Sequence, residues 1–310
     1  MNKFDFKDIN LIPKKCIVDS RSECNTEINL GNFKFNLPIV PANMESIIDL
    51  QLCKNLAKNN YFYIMHRFNV DILSFIEEMN NENLCTSISI GVNDDSYDLL
   101  KSIITKNLKV DFITIDIAHG HSKKMENMIR FINNYLESFI IAGNVSTVEA
   151  VVDLDNWGAN AIKCGIGPGS ACSTYDVTGF GSRNMQASTI YECARVTKKT
   201  IICDGGIRNY GDITKAIVLG ADIVMIGGML SGFLDSPGEI IIENNLKYKE
   251  FWGSASSYNK TNRIEGIKSK NLLKSHTLLD EFNNIKEALQ SSISYAGGND
   301  LSSLKKINWI

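Results

Sequence analysis

The stretch Gly165-Ile166-Gly167-Pro168-Gly169-Ser170-Ala171-Cys172-Ser173-Thr174 leads three glycines, a proline and a serine into one cysteine flanked by hydroxyl residues. Glycine lets a backbone take positive φ and approach a ligand closely, while Pro168 removes a donor and stiffens the turn. A cysteine carried on such a turn is placed for contact and not merely packed. Two further glycine pairs lie downstream, in Asp204-Gly205-Gly206-Ile207-Arg208 and in Gly227-Gly228-Met229. Paired glycines at loop tips suit a phosphate held by backbone amides, and the Asp204 carboxylate beside them suits a ribose diol. A nucleoside monophosphate is the economical ligand; two tight turns are the bland alternative. His119 and His121 in AHGHS lack the further ligands a metal needs, so a packed or cofactor-facing role is expected for them.

The elements that must carry these residues are visible as short β-branched runs, each closing on a polar or glycine residue and followed by an amphipathic segment. They are PIVPAN (38–43), YFYIMH (61–66), TSISIG (86–91), DFITID (111–116), SFIIAG (138–143), NAIKCG (160–165), TIICDG (200–205) and DIVMIG (222–227). Eight buried parallel strands alternating with helices predict a (β/α)8 barrel; a doubly wound open sheet is the rival arrangement. In a barrel, chemistry sits where strands end. Asn43, His66, Asp116, Asn144, Gly165, Asp204 and Gly227 all fall at or just past a run, so they are expected to form one ring. Any one of them alone can be a cap or turn residue; their joint placement carries the expectation.

Composition narrows the class. The chain has 310 residues, 44% of them apolar and 22% charged, with a formal net charge of −3, which gives no reason to expect nucleic acid or a membrane surface as partner. The eight cysteines lack the paired spacing of metal fingers, so reduced, mostly buried thiols in a cytoplasmic protein are expected. The opening MNKFDFKDIN has no apolar signal core, and no window reaches the length of a membrane span.

Taken with PIVPANM, FYIMHRF and IDIAHGHS, the stretches GIGPGSACST and DGGIRNYGDITKAIVLGADIVMIGG resemble the IMP dehydrogenase and GMP reductase superfamily, over nearly the whole chain and closest to its reductase branch. The resemblance implies a single (β/α)8 catalytic domain over residues 1–310, with a short N-terminal arm and a C-terminal extension. It also implies no inserted paired regulatory module, since only about twenty residues join the second and third runs. The dehydrogenases carry an Arg-Tyr pair on a flap that activates water; the corresponding stretch 251–273 has no such dipeptide.

The activity implied is reductive deamination of GMP to IMP and ammonia by NADPH, in purine interconversion. The family pattern maps the nucleophile to Cys172, with Thr174 and Glu265 as a proton relay to the departing amine. It maps the phosphate to Ser170, Gly205, Gly206, Gly227 and Gly228, the ribose to Asp204, and the base to Ser254, Ala255, Ser256 and Gly266. Gly228 departs from the serine frequent in relatives, and Ser254 from a methionine. The dinucleotide is mapped to Ser20, Arg21, Arg67, Asp116, Ile117 and Ala118. Tyr295 and Gly297 are expected to reach a neighbouring subunit's cofactor, which implies a homotetramer. The carbonyls of Gly165, Gly167 and Cys172 match a monovalent-cation loop, with potassium as the ion.

Three other functions remain open at the level of sequence. An IMP dehydrogenase without its module would turn over IMP with NAD; the missing flap pair argues against it. A purine-nucleotide binder without catalysis would leave Cys172, Thr174 and Glu265 without a role. A flavin-binding barrel would use the same phosphate loops and would be yellow when purified.

Overall fold

The computed structural model describes residues 3–254 and 265–310. An antiparallel hairpin of β1 (Ile28–Leu30) and β2 (Phe33–Phe35) precedes the parallel strands β3 (Ile39–Pro41), β4 (Ser87–Ile90), β5 (Phe112–Asp116), β6 (Phe139–Val145), β7 (Ala161–Cys164), β8 (Thr200–Asp204) and β9 (Ile223–Ile226). These seven form one sheet in the order β3-β9-β8-β7-β6-β5-β4. The second expected run, Tyr61–His66, is buried along its length and meets β4 through a parallel bridge between Met65 and Ile88. The sheet curls round on that side, giving an α/β architecture of the (β/α)8 barrel type. The expected runs therefore match observed strands within a few residues, but the second contributes a bridge and no ladder of its own.

Helices alternate with the strands: α1 (Leu50–Lys58), α2 (Ile72–Asn81), α3 (Asp94–Thr105), α4 (Lys123–Tyr135), α5 (Val148–Trp157), α6 (Thr174–Thr178), α7 (Gln186–Cys193), α8 (Tyr210–Val218) and α9 (Leu278–Tyr295). Side chains at their starts satisfy the backbone N–H groups that a first turn leaves unpaired: Asp49, Asp71, Ser122, Thr147, Asn209 and Thr277 each accept one. A single helix, α2, fills the connection between the second run and β4.

Two apolar layers result. Inside the curled sheet, Val40, Phe62, Ile64, Phe112, Ile141, Ala161, Ile202, Ile223 and Met225 pack together, and the β1–β2 hairpin closes the end where the strands begin. Phe35 reaches Phe62 and Phe112 at ring-centroid distances of 5.1 and 6.0 Å, and Phe33 reaches Phe112 at 5.4 Å. A larger cluster fills the space between sheet and helices, and in it Phe282 of α9 meets Tyr61 edge-on at 4.8 Å. With one end plugged by phenylalanines, a ligand can enter only at the end where the strands finish.

Two features fall outside the alternating pattern. The first is that hairpin. The second is an antiparallel sheet of β10 (Ile240–Glu243), β11 (Leu246–Trp252) and β12 (Lys268–Leu272), inserted between β9 and α9. Its first turn is Asn244-Asn245, both at positive φ (50° and 61°), the conformation a two-residue hairpin loop requires and asparagine tolerates. This sheet carries Ser254 and Glu265 at the ends of β11 and β12.

Candidate active site

The strand ends surround a cavity of about 510 Å³, lined among others by Asp116, Ile117, Ser170, Cys172, Thr174 and Asp204. The Gly165–Ser170 loop that enters it is held from beneath by Gln186, a fully buried residue on α7. Its Nε2 donates to Cys164 O (3.0 Å) and Asp204 O (3.2 Å), and its Oε1 accepts from Ser182 Oγ (2.6 Å). Ser182 Oγ also accepts from Ile166 N at 3.1 Å. Gly165 has φ +138°, and a Cβ there would lie 2.2 Å from Asp204 O, so only glycine lets β7 and β8 end this close together.

Above the loop, the end of the antiparallel sheet pairs with the cysteine segment. Cys172 and Gly266 form an antiparallel bridge, Ile267 N donates to Ala171 O (3.0 Å) and Ser173 N donates to Glu265 O (2.8 Å). This pairing presents the Glu265 carboxylate to Thr174. Cys172 Sγ donates to Thr174 Oγ1 at 3.2 Å, and Thr174 Oγ1 donates to Glu265 Oε2 at 2.8 Å. A thiol, a hydroxyl and a carboxylate thus form a continuous proton path, with Thr174 buried and Cys172 half-buried at the cavity wall.

The glycine loops converge as expected. A Cβ on Gly228 would lie 3.0 Å from Ser170 Oγ, and one on Gly205 would lie 3.1 Å from Gly169 N, so the loops after β7, β8 and β9 meet at backbone distance. Gly205 and Gly206 both take positive φ, +83° and +84°. Asn271 on β12 ties this corner to the antiparallel sheet, donating through Nδ2 to Gly228 O and Ser231 Oγ, each at 2.6 Å.

Asp204 accepts from Lys163 Nζ (2.6 Å) and Asn144 Nδ2 (2.7 Å), both on Oδ2. Lys163 Nζ lies 2.8 Å from Asp116 Oδ1, and Asp116 Oδ2 accepts from Asn43 Nδ2 at 3.0 Å. Burial would raise the Asp116 carboxyl, but the Lys163 ammonium, its hydrogen bond, Arg67 and Asn43 outweigh that and hold it below the usual carboxylate range. Burial also opposes the charge on Lys163, and its two carboxylates overcome this and hold the ammonium above the ordinary lysine value. Arg67 lines the same cavity; its Nη2 donates to Asp116 O at 3.2 Å, while its Nε is buried with no hydrogen-bond partner among the described residues.

The expected site residues therefore separate into groups. Cys172, Thr174, Glu265, Ser170, Asp204, Gly205, Gly206, Gly227, Gly228, Ser254, Arg67, Asp116, Ile117, Ala118, Gly165 and Gly167 all line the cavity, and Gly266 touches it through its backbone bridge to Cys172. Ala255 and Ser256 lie outside the described residues. Ser20, Arg21, Tyr295 and Gly297 stand apart from the cavity, where the N-terminal arm packs along α9. Gln290 Nε2 donates to Ser22 O (3.2 Å), Lys14 N to Tyr295 O (2.9 Å), and a Cβ on Gly297 would lie 2.8 Å from Lys15 O. His121 bonds Asp153 (2.7 Å) with its side chain 28% exposed, His119 is exposed, and neither lines the cavity. The residue that sequence reasoning missed is Lys163. Its signal was a lysine inside the otherwise apolar run NAIKCG, since a charge in a buried strand requires partners.

The model of the IMP dehydrogenase / GMP reductase domain matches residues 3–309. A GMP reductase of Mycoplasma mycoides subsp. mycoides SC is 50% identical over 315 residues, covering 100% of this chain and 98% of the relative. GMP reductases of Bacillus thuringiensis subsp. konkukian and Pediococcus pentosaceus are 49% and 48% identical, covering 100% of this chain and 95% and 96% of theirs. With the family model spanning the barrel, the cysteine loop and the glycine corner alike, the chain belongs to the IMP dehydrogenase / GMP reductase domain family.

Proposed function

We propose that the chain is an enzyme that reduces GMP with NADPH, releasing ammonia and IMP, as a single cytoplasmic catalytic domain over residues 1–310 with no inserted regulatory module. The observation that carries this reading is the Cys172–Thr174–Glu265 proton path at the mouth of a glycine-lined cavity. The phosphate sits at Ser170, Gly205, Gly206, Gly227 and Gly228, where backbone amides converge, and the ribose hydroxyls donate to Asp204. The base lies toward Ser254 and Gly266, beside the thiol; Ala255 and Ser256, assigned to it with them, lie outside the described residues.

An amine is a poor leaving group from an aromatic ring, so covalent capture divides the reaction. Cys172 Sγ attacks C2 of guanine, and its proton passes through Thr174 Oγ1 toward the Glu265 carboxylate along the observed donor direction. Glu265 then returns a proton through Thr174 to the departing amine; the carboxyl, not the hydroxyl, is acid enough to do so. The C–N bond breaks and the ring stays on Cys172 as a thioimidate. NADPH, when held by Arg67, Asp116, Ile117 and Ala118, would supply the hydride that C2 takes up. Cys172 leaves as thiolate, and IMP is released.

The lining of the cavity supports a dinucleotide beside the nucleotide. Met44, Phe68 and Ile117 give it an apolar wall, and the unpartnered buried Nε of Arg67 gives it a donor awaiting an acceptor. Arg67, Asp116, Ile117 and Ala118 hold the nicotinamide half. Tyr295 and Gly297 serve a neighbouring subunit in a homotetramer, and their position away from their own cavity supports this; Ser20 and Arg21, expected on the dinucleotide, stand outside the cavity of their own chain. A potassium ion on the carbonyls of Gly165, Gly167 and Cys172 belongs to the same proposal. Asn144 Nδ2 donates to Gly165 O at 2.6 Å, leaving that carbonyl one lone pair for a cation. Mixing the protein with GMP and NADPH and following both absorbance and ammonia tests the reading.

A further inference from the structure

Lys163 is 3% exposed, yet its ammonium stands between two carboxylates on different strands: Asp116 Oδ1 at the end of β5 (2.8 Å) and Asp204 Oδ2 at the end of β8 (2.6 Å). It starts on β7 and must pass β6 to reach β5. The β6 residue in register with it is Gly143, and a Cβ there would lie 2.6 Å from Lys163 Cβ. Glycine at 143 thus lets β6 and β7 approach this closely beside Lys163, where a Cβ would also lie 2.6 Å from Lys163 O. The charged groups facing this cluster are Asp116, Asp204 and Arg67, while Asn43 and Asn144 add neutral donors to the two carboxylates.

From this we infer that Lys163 is a positioning residue that couples the nucleotide and dinucleotide sites, fixing with one ammonium the carboxylate that takes the GMP ribose and the one at the floor of the nicotinamide half. The inference rests on the assignment of Asp204 to the ribose and Asp116 to the dinucleotide side. Both Lys163 and Asn144 engage Asp204 Oδ2; Oδ1 has no hydrogen bond to another described residue and is the oxygen available to a ribose hydroxyl. Without the ammonium, two partly buried like charges would face each other across the floor of the cavity, and one of them would take up a proton or move. Asp204 would then cease to be a fixed, charged acceptor.

The test is calorimetric GMP binding, without dinucleotide, to Lys163→Gln, Asp116→Asn and the double variant. Lys163→Gln is expected to weaken GMP by about 10-fold or more, the scale of one lost charge-assisted contact. The loss should shrink as pH rises, because deprotonation restores the acceptor, over a range in which wild type shows no such dependence beyond that of GMP itself. Asp116→Asn alone should bind GMP near the wild-type level. The double variant should recover most of the lost affinity and lose the added pH dependence, since the like-charge contact is gone; a lysine that merely filled space would give neither. Should Lys163→Gln fail to fold, the double variant, with neutral side chains at both positions, is expected to fold and bind. Wild-type affinity in Lys163→Gln, no recovery in the double variant, or failure of both to fold overturns the inference. Unchanged affinity in Asp204→Ala overturns the ribose assignment itself, and is read separately.

Discussion

Thr174 Oγ1 donates to Glu265 Oε2 across 2.8 Å although the two residues are 91 positions apart. The contact exists because β12 and its lead-in, Glu265-Gly266-Ile267, pair with Ala171-Cys172-Ser173. The carboxylate is therefore delivered by an antiparallel sheet added to the barrel, while the thiol and hydroxyl are delivered by the barrel's own loop.

Glu265→Gln keeps size and hydrogen bonding but cannot carry the proton near neutral pH. GMP turnover should fall by about 10² to 10⁴, the range of a lost general acid. The reverse hydride step, from IMP to NADP⁺ on Cys172, releases no amine, and the half-buried thiol can lose its proton to water. It should survive as a single burst of NADPH when ammonia is withheld, read by stopped-flow absorbance. Loss of the burst in step with turnover would show that Glu265 is needed for attack by Cys172 as well, and would overturn a role confined to the departing amine.

Asp204→Ala should weaken GMP by roughly 10- to 150-fold, the equivalent of about 1.5 to 3 kcal/mol for two charge-assisted ribose bonds. Calorimetry with GMP alone reads this directly. The melting temperature should be followed in parallel, because the substitution also leaves the buried Lys163 with one carboxylate in place of two.

His66, 5% exposed at the end of the second run, accepts from Phe68 N at 3.3 Å. Burial lowers its imidazole below the ordinary histidine value, against an opposing pull from the Glu45 and Asp49 carboxylates. A group depressed in this way favours the native state above its unfolded pKa of about 6.5, where it is neutral in both states. As pH falls from there to the lower folded value, the unfolded chain takes a proton that the native state refuses, and stability declines by up to about 1.4 kcal/mol per pH unit. Denaturant unfolding of His66→Gln and wild type at about pH 8 and pH 5.5 checks this. The gap between them should narrow or reverse at the lower pH if wild type starts the more stable; an identical pH dependence in both proteins would contradict it.

How far the sequence carried these conclusions differs by element. The parallel strands were legible because a strand buried on both faces must be a continuous apolar run, and Ile39–Pro41, Phe112–Asp116 and Ile223–Ile226 lie within such runs. The β10–β12 sheet was not, because Ile240–Glu243 is a short isoleucine run left largely exposed, Leu246–Trp252 interleaves lysines with its apolar residues, and Lys268–Leu272 is mostly polar. The Asn244-Asn245 turn was the available clue. Cys172 and the glycine loops announced themselves by composition, and Thr174 and Glu265 by resemblance to a family. Lys163 was overlooked because its meaning lies in Asp116 and Asp204, which are close only after β5, β7 and β8 assemble. Ser20, Arg21, Tyr295 and Gly297 came together, but beside α9 and away from the cavity of their own chain.

The central claim is that Cys172 forms a covalent bond to the purine during GMP reduction. Its most direct measurement follows NADPH absorbance and ammonia together when GMP is added to wild type and to Cys172→Ala, with GMP binding to the variant checked by calorimetry. Wild type is expected to release one ammonia and one IMP per NADPH oxidised. In the variant, turnover is expected to be reduced at least about 10³-fold, a barrier increase of about 4 kcal/mol or more, with GMP still bound through the phosphate and ribose contacts. Substantial NADPH oxidation by the alanine variant, or oxidation by wild type without stoichiometric ammonia, would contradict the claim.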